Sequence, residues 1–120
     1  MEYCIEHKRE LNEEEKKILR HLLSQPEHDL YFNQIESLCV IARCGCGRCP
    51  TIMLGESYKD EPKPSGHNLV QYYGTNSEGE VVGVTVMVAS GKITELEASS
   101  FSGGDINSWP PTMNLVPVNA

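Results

Sequence analysis

The chain is short of positive charge. Its 120 residues carry 10 Lys and Arg against 17 Asp and Glu, a formal charge of −7. From Pro64 to Ala120 the only cation is Lys92, set against Glu78, Glu80, Glu95, Glu97 and Asp105. Affinity for nucleic acid comes largely from Lys and Arg displacing counterions at phosphates, so direct nucleic-acid binding is disfavoured. Long apolar runs are also missing, and no membrane span is expected. The stretch from Met1 to Glu15 is too charged to hold the apolar core of a secretory signal. A cytoplasmic protein is the resulting expectation, with its five cysteines reduced and no disulfide framework.

Motifs for catalysis are lacking as well. There is no phosphate-cradling Walker loop, no dinucleotide fingerprint and no G-x-S-x-G elbow. His7, His21, His28 and His67 are scattered, and none accompanies a cysteine as the base a thiol nucleophile needs. The adjacent acids Glu13 to Glu15 and Asp60-Glu61 read as solvated faces. The chain is therefore expected to be neither an enzyme nor a cofactor carrier.

What is present is a globular balance, 39% hydrophobic and 22% charged, over a length that suits a single domain, residues 1–120. Asn12 followed by Glu13, Glu14 and Glu15 predicts a capped helix start, with Glu15 at the third helical position of a capping box. Ile18, Leu19, Leu22 and Leu23 form an apolar stripe, and the helix should run to about Ser24 before Pro26. A second helix is expected from Asp29, with Tyr31, Ile35 and Leu38 on one side. Val40-Ile41-Ala42 and Thr51-Ile52-Met53-Leu54 then flank a glycine-rich turn and predict a β-hairpin. Gly55 to Gly66, with Pro62, Pro64 and Ser65, reads as a mobile loop.

Further on, Leu69 to Gly74, Val81 to Val88 and Lys92 to Ala98 predict an antiparallel meander with one wet face. Valines 82, 84, 86 and 88 alternate there against Gly83, Thr85 and Met87. Residues 1–10 and 102–120 are expected to be irregular termini, Trp109 either docking on the body or lying at an interface. The fold class is α+β: two N-terminal helices followed by an antiparallel sheet made of a hairpin plus a meander.

The densest chemistry sits in Arg43-Cys44-Gly45-Cys46-Gly47-Arg48-Cys49-Pro50-Thr51, where three of the five cysteines fall within six residues. Thiolate zinc or iron sites need about four converging ligands, usually gathered as two separated pairs. Cys44, Cys46 and Cys49 lack a matching second pair, and Cys39, His28 or His67 are the candidate fourth ligands. The opposing reading is of reduced thiols packed as small hydrophobes, with glycines relieving backbone crowding. A third reading, redox sensing through Cys44 or Cys46, requires an unusually acidic thiol.

The segment Ala42 to Gly47 ending in Cys49-Pro50-Thr51-Ile52, together with the capped helix bearing Leu22-Leu23, Gln34, and Gly91 to Glu97 before Trp109-Pro110, resembles a family of small, largely uncharacterised bacterial proteins. Their mark is a C-G-C-G-C-P-S/T-like segment between helices and a β-meander. Arg48, between Gly47 and Cys49, departs from that pattern and lengthens the turn. In size, acidity and α+β body the chain is also similar in role to immunity proteins of contact-dependent growth inhibition and polymorphic toxin systems. That likeness implies an inhibitor of a cognate toxin domain, commonly a cationic nuclease. Its contacts are expected at Glu78, Glu80, Glu95, Glu97, Asp105 and Trp109, with electrostatic steering of encounter. The alternative function is a cysteine-rich zinc- or iron-binding module using Cys44, Cys46, Cys49 and Cys39.

Overall fold

A computed structural model describes residues 4–62 and 66–118. Pro64 and Ser65 of the expected loop, and the outermost residues of both expected irregular termini, lie outside the described residues. The fold is α+β, with seven strands: β1 (Cys4–Glu10), β2 (Cys39–Cys44), β3 (Ile52–Gly55), β4 (His67–Thr75), β5 (Val81–Ala89), β6 (Lys92–Ser100) and β7 (Val116–Pro117). All pair antiparallel in one sheet of order β1-β2-β3-β6-β5-β4-β7. No described helix is long and apolar enough to cross a membrane.

The helix α1 (Glu13–Leu22) begins where its chemistry places it. Asn12 Oδ1 accepts from the Glu15 backbone N–H at 2.8 Å, and the Glu15 carboxylate accepts from the Asn12 N–H at 3.0 Å, closing the capping box. The acids of the first turn complement the positive end of the helix dipole. The helix ends at Leu22, two residues before the expected Ser24. Ile18, Leu19, Leu22 and Leu23 are essentially fully buried.

They pack with Val82, Val84, Val86, Val88, Leu96 and Tyr72 on one sheet face, and His21 meets the Tyr72 ring edge-on at 5.5 Å. Burying each such aliphatic side chain contributes roughly 1.5–3 kcal/mol. The valine alternation expected for β5 thus faces the core.

Three expectations are corrected. Residues 4–10 are not irregular: they form β1, an edge strand paired to β2, so a strand precedes the first helix. Its run of charges hides the period-2 pattern, as is common on edges that must not pair with other chains. The second helix is short and broken. A 3-10 turn at Pro26–His28 leads into α2 (Asp29–Phe32), and another follows at Ile35–Ser37. Ile35 and Leu38 are still buried, because the core holds the chain even where the helix stops.

The sheet is also not a hairpin followed by a separate meander. The hairpin β2–β3 joins the meander through β6, the last meander strand, by Ile52↔Leu96 and Met53↔Glu95. The expected irregular C-terminus contains β7, added to the outer edge of β4.

One charged contact ties the edge strand to the helix. Arg9 grips Glu15 bidentately, Nη1 to Oε1 at 2.9 Å and Nη2 to Oε2 at 2.7 Å. Glu15 is only 3% exposed and spends the same carboxylate on the capping box. Removing it strands Arg9 and opens the helix cap together. Glu15→Ala is expected to destabilise the protein by about 2–3 kcal/mol and Asn12→Ala by about 1 kcal/mol. Equilibrium denaturant unfolding measures both, and equal effects would show that the Arg9 contact is not coupled to the cap.

Candidate functional site

The turn from β2 to β3 gathers the cysteine run. Cys44 ends β2, its N–H donates to the Thr51 carbonyl at 3.2 Å, and Gly47 takes φ +69°, a left-handed conformation that glycine adopts without strain. The Sγ atoms of Cys44, Cys46 and Cys49 all lie within 4.8 Å of one another, with Cys46 and Cys49 at 3.3 Å. The C-terminal segment docks on this turn. The Ile106 N–H donates to the Arg48 carbonyl at 2.9 Å, and Arg48 Nη1 lies 3.7 Å from Asp105 Oδ1.

The other proposed ligands are elsewhere. Cys39 is at the far end of β2, buried, its thiol donating to the Gly55 carbonyl at 3.5 Å. His28 lies in the 3-10 turn before α2 and His67 opens β4. The cysteine that the fold does bring near was missed: Cys4 is the cross-strand partner of Cys44. Only the pairing of β1 reveals it.

The thiols are not equivalent. The Arg48 backbone N–H donates to Cys46 Sγ at 3.3 Å and holds that thiol below its ordinary pKa, with hydrogen bonds from the Cys44 and Cys49 thiols and the Arg48 charge adding to the effect. Burial pushes Cys44 up to about 11 and raises Cys39 as well. Cys46 is also the exposed member of the cluster, with Cys44 and Cys49 half-buried.

The six expected partner-binding residues do not form one equivalent set. Glu78 and Glu80 belong to the β4–β5 turn, built on the buried Asn76, whose Oδ1 accepts from both of their backbone N–H groups at 3.0 Å. Their carboxylates accept from serines of the C-terminal segment, Glu78 from Ser108 at 3.2 Å and Glu80 from Ser102 at 3.0 Å. Asp105 is exposed opposite Arg48. Trp109 is 5% exposed and lies in the core, so it docks on the body and offers no surface to a partner. Of the two placements expected for Trp109, docking on the body is the one found, and its expected role as a partner contact is corrected.

Glu95 and Glu97 project from β6 on the sheet face opposite α1, where Glu95 pairs across to Met53 and Met87 and Glu97 to Thr85. Glu95 is 7% exposed. Burial, then the neighbouring Glu97, pushes its pKa up to about 7. Among the described residues neither carboxylate pairs with a cation. The expected wet face is also dry at its centre. Thr85 is fully buried and its hydroxyl has no hydrogen-bond partner among the described residues.

Next to it, Phe101 reaches over Gly83, where an added Cβ would meet the ring at 3.1 Å and Ser99 Oγ at 2.7 Å. Phe101 stacks with Tyr73 at 6.1 Å and 28° while remaining 62% exposed. This aromatic pair was not singled out from the sequence, since Phe101 falls at the end of β6 and Tyr73 a full strand pair away. The chain matches no family model, no curated protein and no solved structure.

Glu95 makes stability depend on pH. Its folded-state pKa of about 7 lies above its ordinary 4.5, so the folded protein holds a proton that the unfolded chain releases. Stability should fall as pH rises from 4.5 through about 7 and then level off. Glu95→Gln is expected to stabilise the protein at pH 8 by on the order of 1–3 kcal/mol and to have little effect at pH 4.5. Urea unfolding at both pH values checks this, and an equal change at the two would contradict it.

Proposed function

We propose that the chain is a cytoplasmic binding protein of the immunity type, which occupies and blocks a cationic toxin domain and catalyses nothing itself. The observation that carries this reading is the exposed Tyr73–Phe101 stack set beside Glu97, a half-buried carboxylate with no cation paired to it among the described residues, with Glu95 buried under the same face. Glu80, hydrogen-bonded to Ser102 next to Phe101, extends the acidic surface to the β4–β5 turn, with Glu78 behind it.

Aromatic side chains supply the central, desolvated contacts of an interface, and like-signed charges around them select the opposite charge in a partner. A toxin domain that handles phosphates presents clustered Lys and Arg, and carboxylates take the place of those phosphates. The Tyr73 and Phe101 rings replace Trp109 as the aromatic anchors. Glu95, only 7% exposed, lies beneath this face and is not itself offered to the partner.

Calorimetric titration against the product of the gene adjoining that of this chain tests the reading. Affinity should fall as salt rises. Phe101→Ala and Glu97→Gln should each weaken it by roughly tenfold or more, while Glu13→Gln, on the opposite side of the sheet at the start of α1, leaves it unchanged. Binding that ignores salt and tolerates both Phe101→Ala and Glu97→Gln would sink the assignment.

A further inference from the structure

The cysteine turn is over-supplied for a hairpin connection. Packing explains Cys39, which is buried with Ile41, Ala42 and Met53. It does not explain Cys46, which is exposed yet has its sulfur turned toward Cys49 at 3.3 Å and toward the Arg48 N–H at 3.3 Å. Three sulfurs within 4.8 Å of one another are close to what a zinc ion requires. Zn–S bonds of about 2.3 Å in a tetrahedron put neighbouring sulfurs about 3.8 Å apart. The spacing C-x-C-x2-C therefore holds three corners of a tetrahedron to within about 1 Å.

β1 offers a candidate for the fourth corner. Cys4 and Cys44 are Cα partners in the antiparallel β1–β2 pair, and directly opposed residues carry their Cβ atoms roughly 4.5–5.5 Å apart on one face. Cys4 packs against Cys39, Ile41, Ala42 and Met53 on that face, so its side chain has to turn from that cluster toward the thiol turn to reach the ion. The turn is held in place independently of any metal, by Cys44 N–H to Thr51 and by Ile106 N–H to Arg48. The Arg48 N–H on Cys46 Sγ is the kind of outer hydrogen bond that orients a thiolate ligand, and the Arg48 guanidinium offsets part of the negative charge.

We propose that Cys44, Cys46, Cys49 and Cys4 bind one Zn2+ tetrahedrally, pinning the edge strand β1 to the β2–β3 turn. Each ligand loses its thiol proton, so four protons leave as one Zn2+ binds and the finished site carries a charge of −2. Binding consequently weakens as pH falls. No position is left open for substrate, so the site is structural. Cys39 has no part in it.

The full chain, purified under reducing conditions without chelator, should contain one zinc per molecule by elemental analysis. Replacing zinc with Co2+ should give thiolate-to-metal charge-transfer absorption and the intense visible bands of a tetrahedral site. Cys46→Ser, at an exposed position, should keep the fold by circular dichroism and lose the metal. Cys4→Ser should weaken binding at least tenfold and shift the visible cobalt bands as one sulfur is replaced by oxygen. Cys39→Ser should retain full stoichiometry. Reduced, folded protein that takes up neither zinc nor cobalt would overturn the proposal, as would a Cys46–Cys49 disulfide found by mass spectrometry in protein kept reduced. Unchanged cobalt spectra in Cys4→Ser would remove Cys4 from the ligand set and overturn the four-thiolate site.

Discussion

The short pairing of β3 with β6 is the constraint on which the rest of the structure depends. Only Ile52↔Leu96 and Met53↔Glu95 are paired along it. The buried Thr51 hydroxyl extends the junction, accepting from the Ala98 N–H at 2.9 Å and donating to the Ala98 carbonyl at 3.3 Å. Through this seam the β1–β2–β3 half and the β4–β5–β6–β7 half become one sheet, and Leu54 and Val40 enter the same core as Val84 and Leu22. A side chain stands in where the strand ladder runs out, which keeps the buried backbone of β6 satisfied.

The same seam sets the electrostatics. Because β3 lies against β6, Glu95 is enclosed between Met53 and Met87 and loses water without gaining a cation. A carboxyl in that position is held partly protonated, with Glu97 adding to the shift. Elsewhere the acids are accommodated conventionally: Glu15 by Arg9 and the helix cap, Glu78 and Glu80 by serine hydroxyls, Glu36 by Arg20. The uncompensated carboxyls and the uncovered aromatic pair therefore occur together on the sheet face away from α1. Such a face costs stability in the free protein.

At the other end of the sheet, the thiol turn and the C-terminal segment brace each other. Ile106 hydrogen-bonds the turn backbone, Ser102 and Ser108 hydrogen-bond the β4–β5 turn, and Trp109 closes over the core between them. The segment has little regular structure, yet its backbone and serine groups are spent on specific partners. It behaves as a strap across one end of the fold, and its position explains how a proline-rich sequence buries the single tryptophan.

Much of the local structure was legible. The Asn12–Glu15 capping box, the apolar stripe of α1, the glycine turn between β2 and β3, and the alternation along β5 all follow from interactions within a few residues, so the chain alone determines them. The sequence likewise determined the deficit of cations after Pro64 and the spacing that lets three thiols converge in one turn. Tertiary structure decided the rest. It made a charged segment, Cys4–Glu10, into a strand, because pairing with β2 and the Arg9–Glu15 contact outweigh a weak intrinsic pattern. It opposed Cys4 to Cys44, stacked Tyr73 on Phe101, and hid Glu95 and Trp109 while leaving Glu97 near the surface. The Cys4–Cys44 and Tyr73–Phe101 meetings and the Met53–Glu95 pairing join residues tens of positions apart, and strand order, which no local preference encodes, determines which of them meet.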